Sequence, residues 1–332
     1  MENSLWRRLA VLFVGGATVS AVGLAGPDAT ARRSHLELAR SRSPSRAAAA
    51  SEMSPLYNSM TRYSTSTIRG DSIDLYYPAQ VKQPLPVALL LQGLNVDKAH
   101  YSQFAEQVGR YGFIVAVPNH TVSVRGRDEL FAQVGQVTDV LESMRRETQT
   151  PKSPLYKKID PETLVLLGHS HGGMMGLDAI RGACDVPFCI GDYTIPKELK
   201  AAAFYGTFLW EDGEYLSIDN SRVPTLLVAG SRDSLITPEE IQQTYGQIKY
   251  PPKMYVQVEG ANHYGITDRD NPSGSPPEPR SPTLPQEQAI ETIARWSAAF
   301  LRAYALEDKT ALDYLYRIGP KTDTIVEVVA EP

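Results

Sequence analysis

The sequence predicts an α/β fold, a mostly parallel central sheet with helices on both faces. Three observations predict it. Continuous apolar runs of strand length recur along the chain, as expected for strands covered on both sides. Runs with helical spacing lie between them, and such alternation indicates parallel strands joined by crossover helices. The length, 332 residues of which 42% are hydrophobic, is ample for one large core.

The elements follow in order. Ile73, Leu75 and Tyr77 alternate with polar residues, as in a half-buried strand near an edge. Pro86–Gln92, Gly112–Pro118, Thr163–Gly168, Ala201–Gly206, Thr225–Gly230 and Lys253–Glu259 are the apolar runs. Helices are expected over about 99–111, 128–147, 172–181, 238–246 and 286–305, with a short one at 309–318. Residues 269–285, rich in Pro and Ser, read as a long surface loop. Only residues 207–222 separate Gly206 from the next strand, too few for a helical lid, so no large lid domain is expected and the site should be open. Phe208, Leu209, Trp210 and Tyr215 would either line it or cover the edge of the core.

The N-terminus is of a different kind. Arg7-Arg8 precedes an apolar stretch from Leu9 to Ala25, and Ala29-Thr30-Ala31 fits a small-residue cleavage site. Residues 1–31 therefore read as a secretory signal peptide, with cleavage after Ala25, an uncleaved membrane anchor and an organellar transit peptide as alternatives. Residues 32–54 have few large apolar side chains and read as a flexible linker. Residues 55–320 form the expected catalytic domain and 321–332 a frayed tail. The first 50 residues carry seven Arg against three acids, so the remainder is strongly acidic within a net charge of -5. An acidic domain is a poor polyanion binder, so nucleic acid is excluded as a partner. Membrane contact is expected only through the N-terminal segment, and the protein is expected to be a secreted or periplasmic monomer. Cys184 and Cys189 are the only cysteines. Behind an export signal they read as a local disulfide, the alternative being two free thiols.

The chemistry concentrates at Gly168-His169-Ser170-His171-Gly172-Gly173. This string follows an apolar strand and precedes a helix-compatible run, which is the setting of a nucleophile elbow. Gly168 and Gly172 keep side chains out of a crowded turn, and the following helix aims its amide end at the reaction centre. A neutral serine hydroxyl needs a base and a group to orient that base. Asp233 and His263 lie just beyond the next apolar strands, in the chain order Ser, acid, His. Asp212 and Asp219 are alternative acids. Among the six histidines, His35 lies in the linker, His100 and His120 lie upstream, and His169 and His171 flank the serine. For the oxyanion, the expected donors are the backbone N–H groups of His171 and of Leu94, in Gln92-Gly93-Leu94-Asn95. No metal spacing accompanies the cysteines and no cofactor motif is found. Asp268 and Asp270-Asn271 read as a polar loop, with Ca²⁺ binding as the alternative.

Over roughly residues 65–305 the chain resembles the α/β-hydrolase family. Leu90-Leu-Gln-Gly93-Leu94, Tyr101-Ser-Gln-Phe104, Gly112–Pro118 and Gly168–Gly173 are similar to segments of its chlorophyllase, cutinase-like and dienelactone-hydrolase-like branch. The chain departs from many relatives in carrying Gln92-Gly93 where they carry His-Gly. The resemblance implies a serine carboxylesterase acting through an acyl-enzyme, and an open site with export suits lipid-like, bulky or polymeric esters. Peptidase, acyltransferase and a catalytically dead binding protein are the rival functions this fold admits.

Overall fold

The structure is a computed structural model, and it describes residues 53–124, 126–185, 188–189 and 191–332. The expected signal peptide at 1–31 and nearly all of the linker at 32–54 lie outside the described residues. A nine-stranded sheet runs in the order β1-β2-β4-β3-β7-β8-β11-β12-β13. Its strands are β1 (Met60–Ser66), β2 (Ser72–Pro78), β3 (Leu85–Leu91), β4 (Ile114–Asn119), β7 (Ile159–His169), β8 (Leu199–Tyr205), β11 (Thr225–Gly230), β12 (Lys253–Val258) and β13 (Val326–Glu331). From β4 to β12 neighbouring strands are parallel; β1, β2 and β13 add antiparallel edges. Two small hairpins stand outside the sheet: β5 (Thr121–Val124) with β6 (Arg127–Leu130), and β9 (Trp210–Glu211) with β10 (Glu214–Tyr215).

The period-2 geometry of the strands sends alternate residues to two cores. In β3, Val87, Leu89 and Leu91 join one core, and Ala88 and Leu90 join the other. Helices α2 (Gln136–Gln149), α3 (His171–Ile180) and α4 (Pro238–Gln247) cover the first face. Helices α1 (Ser102–Arg110) and α5 (Gln286–Ala305) cover the second. On α5, Ile290, Ile293, Trp296 and Phe300 repeat at helical spacing and are fully buried, each contributing about 1.5–3 kcal/mol of transfer free energy.

Several expectations are corrected. The tail expected at 321–332 is not frayed: Val326–Glu331 pairs antiparallel with β12, leaving Glu327, Val329 and Glu331 exposed on one face as an edge strand allows. Its short length and flanking acids hid that alternation. The linker expected to reach residue 54 ends earlier, because Met53 is buried and its carbonyl accepts the Tyr111 hydroxyl. The helix expected from 128 begins at Gln136; residues 127–130 pair with 121–124 instead. Strand β1 was not foreseen, since Met60–Ser66 is polar on its exposed side and takes its order from β2. Between β8 and β11 lies only the β9–β10 hairpin, so there is no helical lid. Among the described residues, no helix is long and apolar enough to cross a membrane.

Candidate active site

Ser170 stands between the end of β7 and the first residue of α3 with φ 53° and ψ -122°. That is a strained conformation for a residue with a side chain, costing about 1–3 kcal/mol. The glycines explain how the turn is tolerated. A Cβ on Gly168 would sit 2.8 Å from the Gly172 carbonyl oxygen, and one on Gly173 would sit 2.6 Å from the Thr207 Cβ. A Cβ on Gly172 would lie 2.5 Å from the Gln92 carbonyl oxygen and nearer still to that of Leu91. The elbow is thus pressed against the exit of β3. The strain is held from β8 as well: the Ser170 N–H donates to the Tyr205 carbonyl at 3.0 Å, and the Thr207 hydroxyl donates to the Ser170 carbonyl at 2.9 Å.

The candidate acid and base come from the loops after β11 and β12. Asp233 is fully buried, and its Oδ1 accepts the N–H groups of Leu235 at 3.0 Å and Ile236 at 2.8 Å. Its Oδ2 lies 2.8 Å from His263 Nδ1. An ionised carboxylate only accepts, so His263 must carry its proton on Nδ1, leaving Nε2 as an acceptor. Burial pushes the Asp233 carboxyl upward, while the adjacent imidazole and the Ile236 amide favour the charged form. Gly206, with φ 58° just past β8, lets this pair approach the elbow: a Cβ there would be 3.2 Å from Asp233 Oδ2 and 3.3 Å from His263 Nδ1. Asp233 and His263 therefore meet beside Gly206, one residue past the Tyr205 carbonyl that holds the Ser170 N–H. Asp219 pairs instead with Lys249 at 3.2 Å on the surface. His120 pairs with Asp71 at 2.9 Å.

Of the two predicted oxyanion donors, His171 follows the serine directly, and Leu94 lies on the loop after β3, two residues past the Gln92 carbonyl that the elbow packs against. His171 is the first residue of α3, and its ring Nε2 lies 3.0 Å from the Ala132 carbonyl. Around Leu94 the amides are spoken for on either side. Gly93 N–H donates to the Tyr101 hydroxyl at 2.8 Å, and Asn95 N–H donates to the Leu130 carbonyl at 2.9 Å. The Leu94 N–H, on a residue only 6% exposed, has no acceptor among the described residues. The β5–β6 hairpin holds this loop, because Asn95 Oδ1 also accepts the Leu130 N–H at 2.9 Å and its amide nitrogen donates to Glu129. Asn95 occupies the left-handed region at φ 55°, which an asparagine side chain tolerates.

The site is more enclosed than expected. Ser170 is 5% and His263 2% exposed. Phe208 and Leu209 are core residues, and Trp210 and Tyr215 pack half-buried against the same core. Cys184 and Cys189 are disulfide-bonded. The bridge closes a loop after α3 whose Phe188 stacks on Phe131 and contacts the His171 ring. Asp268 accepts the Ser102 hydroxyl at 2.6 Å and the Gln103 N–H, and Asp270 accepts the Asn262 amide at 2.9 Å.

The sequence did not single out Glu278 or Tyr101. Glu278, in the loop at 269–285, is buried and accepts the Ser234 N–H at 2.8 Å and the Ser234 hydroxyl, bracing the turn that follows Asp233. A lone acid in a Pro-rich stretch carries no signal of this. Tyr101 immediately precedes α1 and looks like an ordinary core aromatic.

A family model described as PET hydrolase-like matches residues 37–274, which contain the elbow, the Asp233 turn and the His263 loop. The chain belongs to the PET hydrolase-like family. The central sheet and its helices are accordingly those of an α/β-hydrolase fold, and membership of this family makes the protein a hydrolase. The match ends before α5 and β13, which complete the second core and the sheet edge in this chain. No curated protein matches the chain.

Proposed function

We propose that the protein is a secreted serine hydrolase that cleaves carboxylic esters, polymeric or bulky ones above all, through an acyl-enzyme. The observation that carries the mechanism is the buried Asp233–His263 pair, 2.8 Å apart, set beside a serine in a strained elbow. His263 Nε2 takes the proton of Ser170 Oγ as that oxygen attacks the ester carbonyl. The N–H groups of Leu94 and His171 receive the charge that develops on the carbonyl oxygen. His263 then passes the proton to the leaving alkoxide, and water, deprotonated by the same imidazole, releases the acid. Asp233 keeps the imidazole in the tautomer that this cycle requires. Family membership and the short hairpin connection in place of a helical lid support a polymeric substrate. The signal-like segment 1–31 and the Cys184–Cys189 disulfide support export to an oxidising compartment.

The test is hydrolysis of p-nitrophenyl esters from acetate to palmitate and of amorphous poly(ethylene terephthalate) film, beside Ser170→Ala. We expect turnover that the substitution lowers by at least about 10³-fold, and fluorophosphonate labelling that it abolishes. Full activity in Ser170→Ala overturns the mechanism. Activity on the small esters with none on film confines the proposal to soluble esters.

A further inference from the structure

The Gly93 side of the oxyanion loop and the His263 loop are far apart in sequence, yet one chain of hydrogen bonds joins them. Gly93 N–H donates to Tyr101 Oη at 2.8 Å. Tyr101 Oη lies 2.9 Å from His169 Nδ1, and His169 Nε2 lies 2.9 Å from the carbonyl oxygen of His263. Both side chains are wholly buried. The His263 carbonyl can only accept, so His169 carries its proton on Nε2 and accepts at Nδ1. Tyr101 must then donate to Nδ1, and its oxygen is left to accept from Gly93. One arrangement of protons satisfies every link.

The geometry points to Tyr101 and His169 as a positioning relay that sets the spacing between the Leu94 oxyanion donor and the His263 base. Leu94 follows Gly93 directly, so a shift at Gly93 moves the amide that has no acceptor of its own. His169 precedes Ser170, so the relay also passes the nucleophile. Gly93 is required at its place, because a Cβ there would lie 2.8 Å from His169 Nδ1 and 3.3 Å from Tyr101 Oη. Burial keeps both members neutral: it pushes the Tyr101 hydroxyl far up, and it pushes the His169 imidazole well below its ordinary value, helped by the nearby His263. Neither member touches the reacting atoms. The inference rests on the serine-esterase reading of the site.

Two measurements on the full chain test it. The first uses no substrate: ¹⁵N-histidine spectra between pH 5 and 8 should show His169 protonated on Nε2 alone. Protonation on Nδ1 or on both nitrogens overturns the relay, even in an active enzyme. An inert parent chain with the expected tautomer counts against the esterase reading alone. The second is kinetic, on p-nitrophenyl butyrate. Tyr101→Phe should lower kcat about 10- to 100-fold with KM changed less than about threefold. His169→Gln, which retains a donor toward the His263 carbonyl, should keep more activity than His169→Leu. Joining Tyr101→Phe to His169→Leu should add little to the larger single loss, as for residues acting as one unit. A folded Tyr101→Phe protein with parental kcat overturns the proposal. So does a loss that comes only from a smaller amount of folded protein, with kcat per fluorophosphonate-labelled site unchanged.

Discussion

Replacing Asp233 with Asn tests the proposed triad at its most constrained point. Oδ1 of Asp233 receives two backbone N–H groups, from Leu235 and Ile236, and Oδ2 faces His263 Nδ1. The two amides only donate, so the asparagine must present its oxygen to them and its NH₂ to His263. Two donors cannot face each other, so the imidazole gives up the Nδ1 proton and carries one on Nε2. No acceptor then remains for the Ser170 proton. We expect kcat/KM on p-nitrophenyl butyrate to fall about 10⁴-fold, or about 5 kcal/mol of transition-state stabilisation. Stability should not fall with it. Burial raises the Asp233 pKa in the folded chain, against the opposing pull of His263 and the Ile236 amide. A raised carboxyl pKa means that the folded state binds the proton more tightly. Stability is then greatest below the unfolded pKa and declines as pH rises through the folded one. At pH 7 the buried charge is a cost that Asn removes. The variant should melt at or above the parent's temperature at pH 7, and the difference should shrink toward pH 4. Retention of more than a hundredth of the activity refutes the tautomer argument. A melting temperature several degrees below the parent at pH 7 refutes the burial argument.

Two further outcomes follow from the geometry. Gly172→Ala places a methyl against the Leu91 and Gln92 carbonyls, so the elbow must move. We expect at least about 10²-fold loss of kcat/KM and an unfolding free energy lowered by about 1–3 kcal/mol, and parental values for both would show the turn to be pliable. Burial pushes the His120 imidazole down, but the Asp71 carboxylate at 2.9 Å outweighs it and raises the imidazole overall. A raised folded pKa makes the pair's contribution full below the unfolded histidine value of about 6.5 and absent above the folded one. Asp71→Asn should therefore lower urea stability by up to about 1 kcal/mol at pH 5 and leave it nearly unchanged at pH 9. An equal loss at both pH values would remove the ion pair from the account.

The class of fold was legible because it depends on short-range patterning. Runs such as Pro86–Gln92 and Thr225–Gly230 are apolar without interruption because both faces of those strands are covered, and that demand is written locally. The elbow was legible for the same reason: Gly168, Gly172 and Gly173 meet neighbours that any side chain would strike, so the turn leaves its mark within six residues. Asp233 and His263 were singled out because each follows an apolar strand closely. Edge elements were less legible. Strand β13 needs only every second residue apolar, and the β5–β6 hairpin is held from outside by Asn95, whose side chain accepts the Leu130 N–H and whose own N–H donates to the Leu130 carbonyl.

Chain patterning thus determined the layered sheet, the sharp turn that carries Ser170, and the order of Ser170, Asp233 and His263 along the chain. The tertiary structure alone decided which acid meets the base, that Glu278 reaches back from a Pro-rich loop to brace Ser234, and that Tyr101 and His169 join Gly93 to His263. The physical reason is that an apolar face is specified by the periodicity of its own segment, whereas a buried hydrogen bond between distant segments is specified by an angle and a distance of about 2.9 Å, which no spacing along the chain encodes.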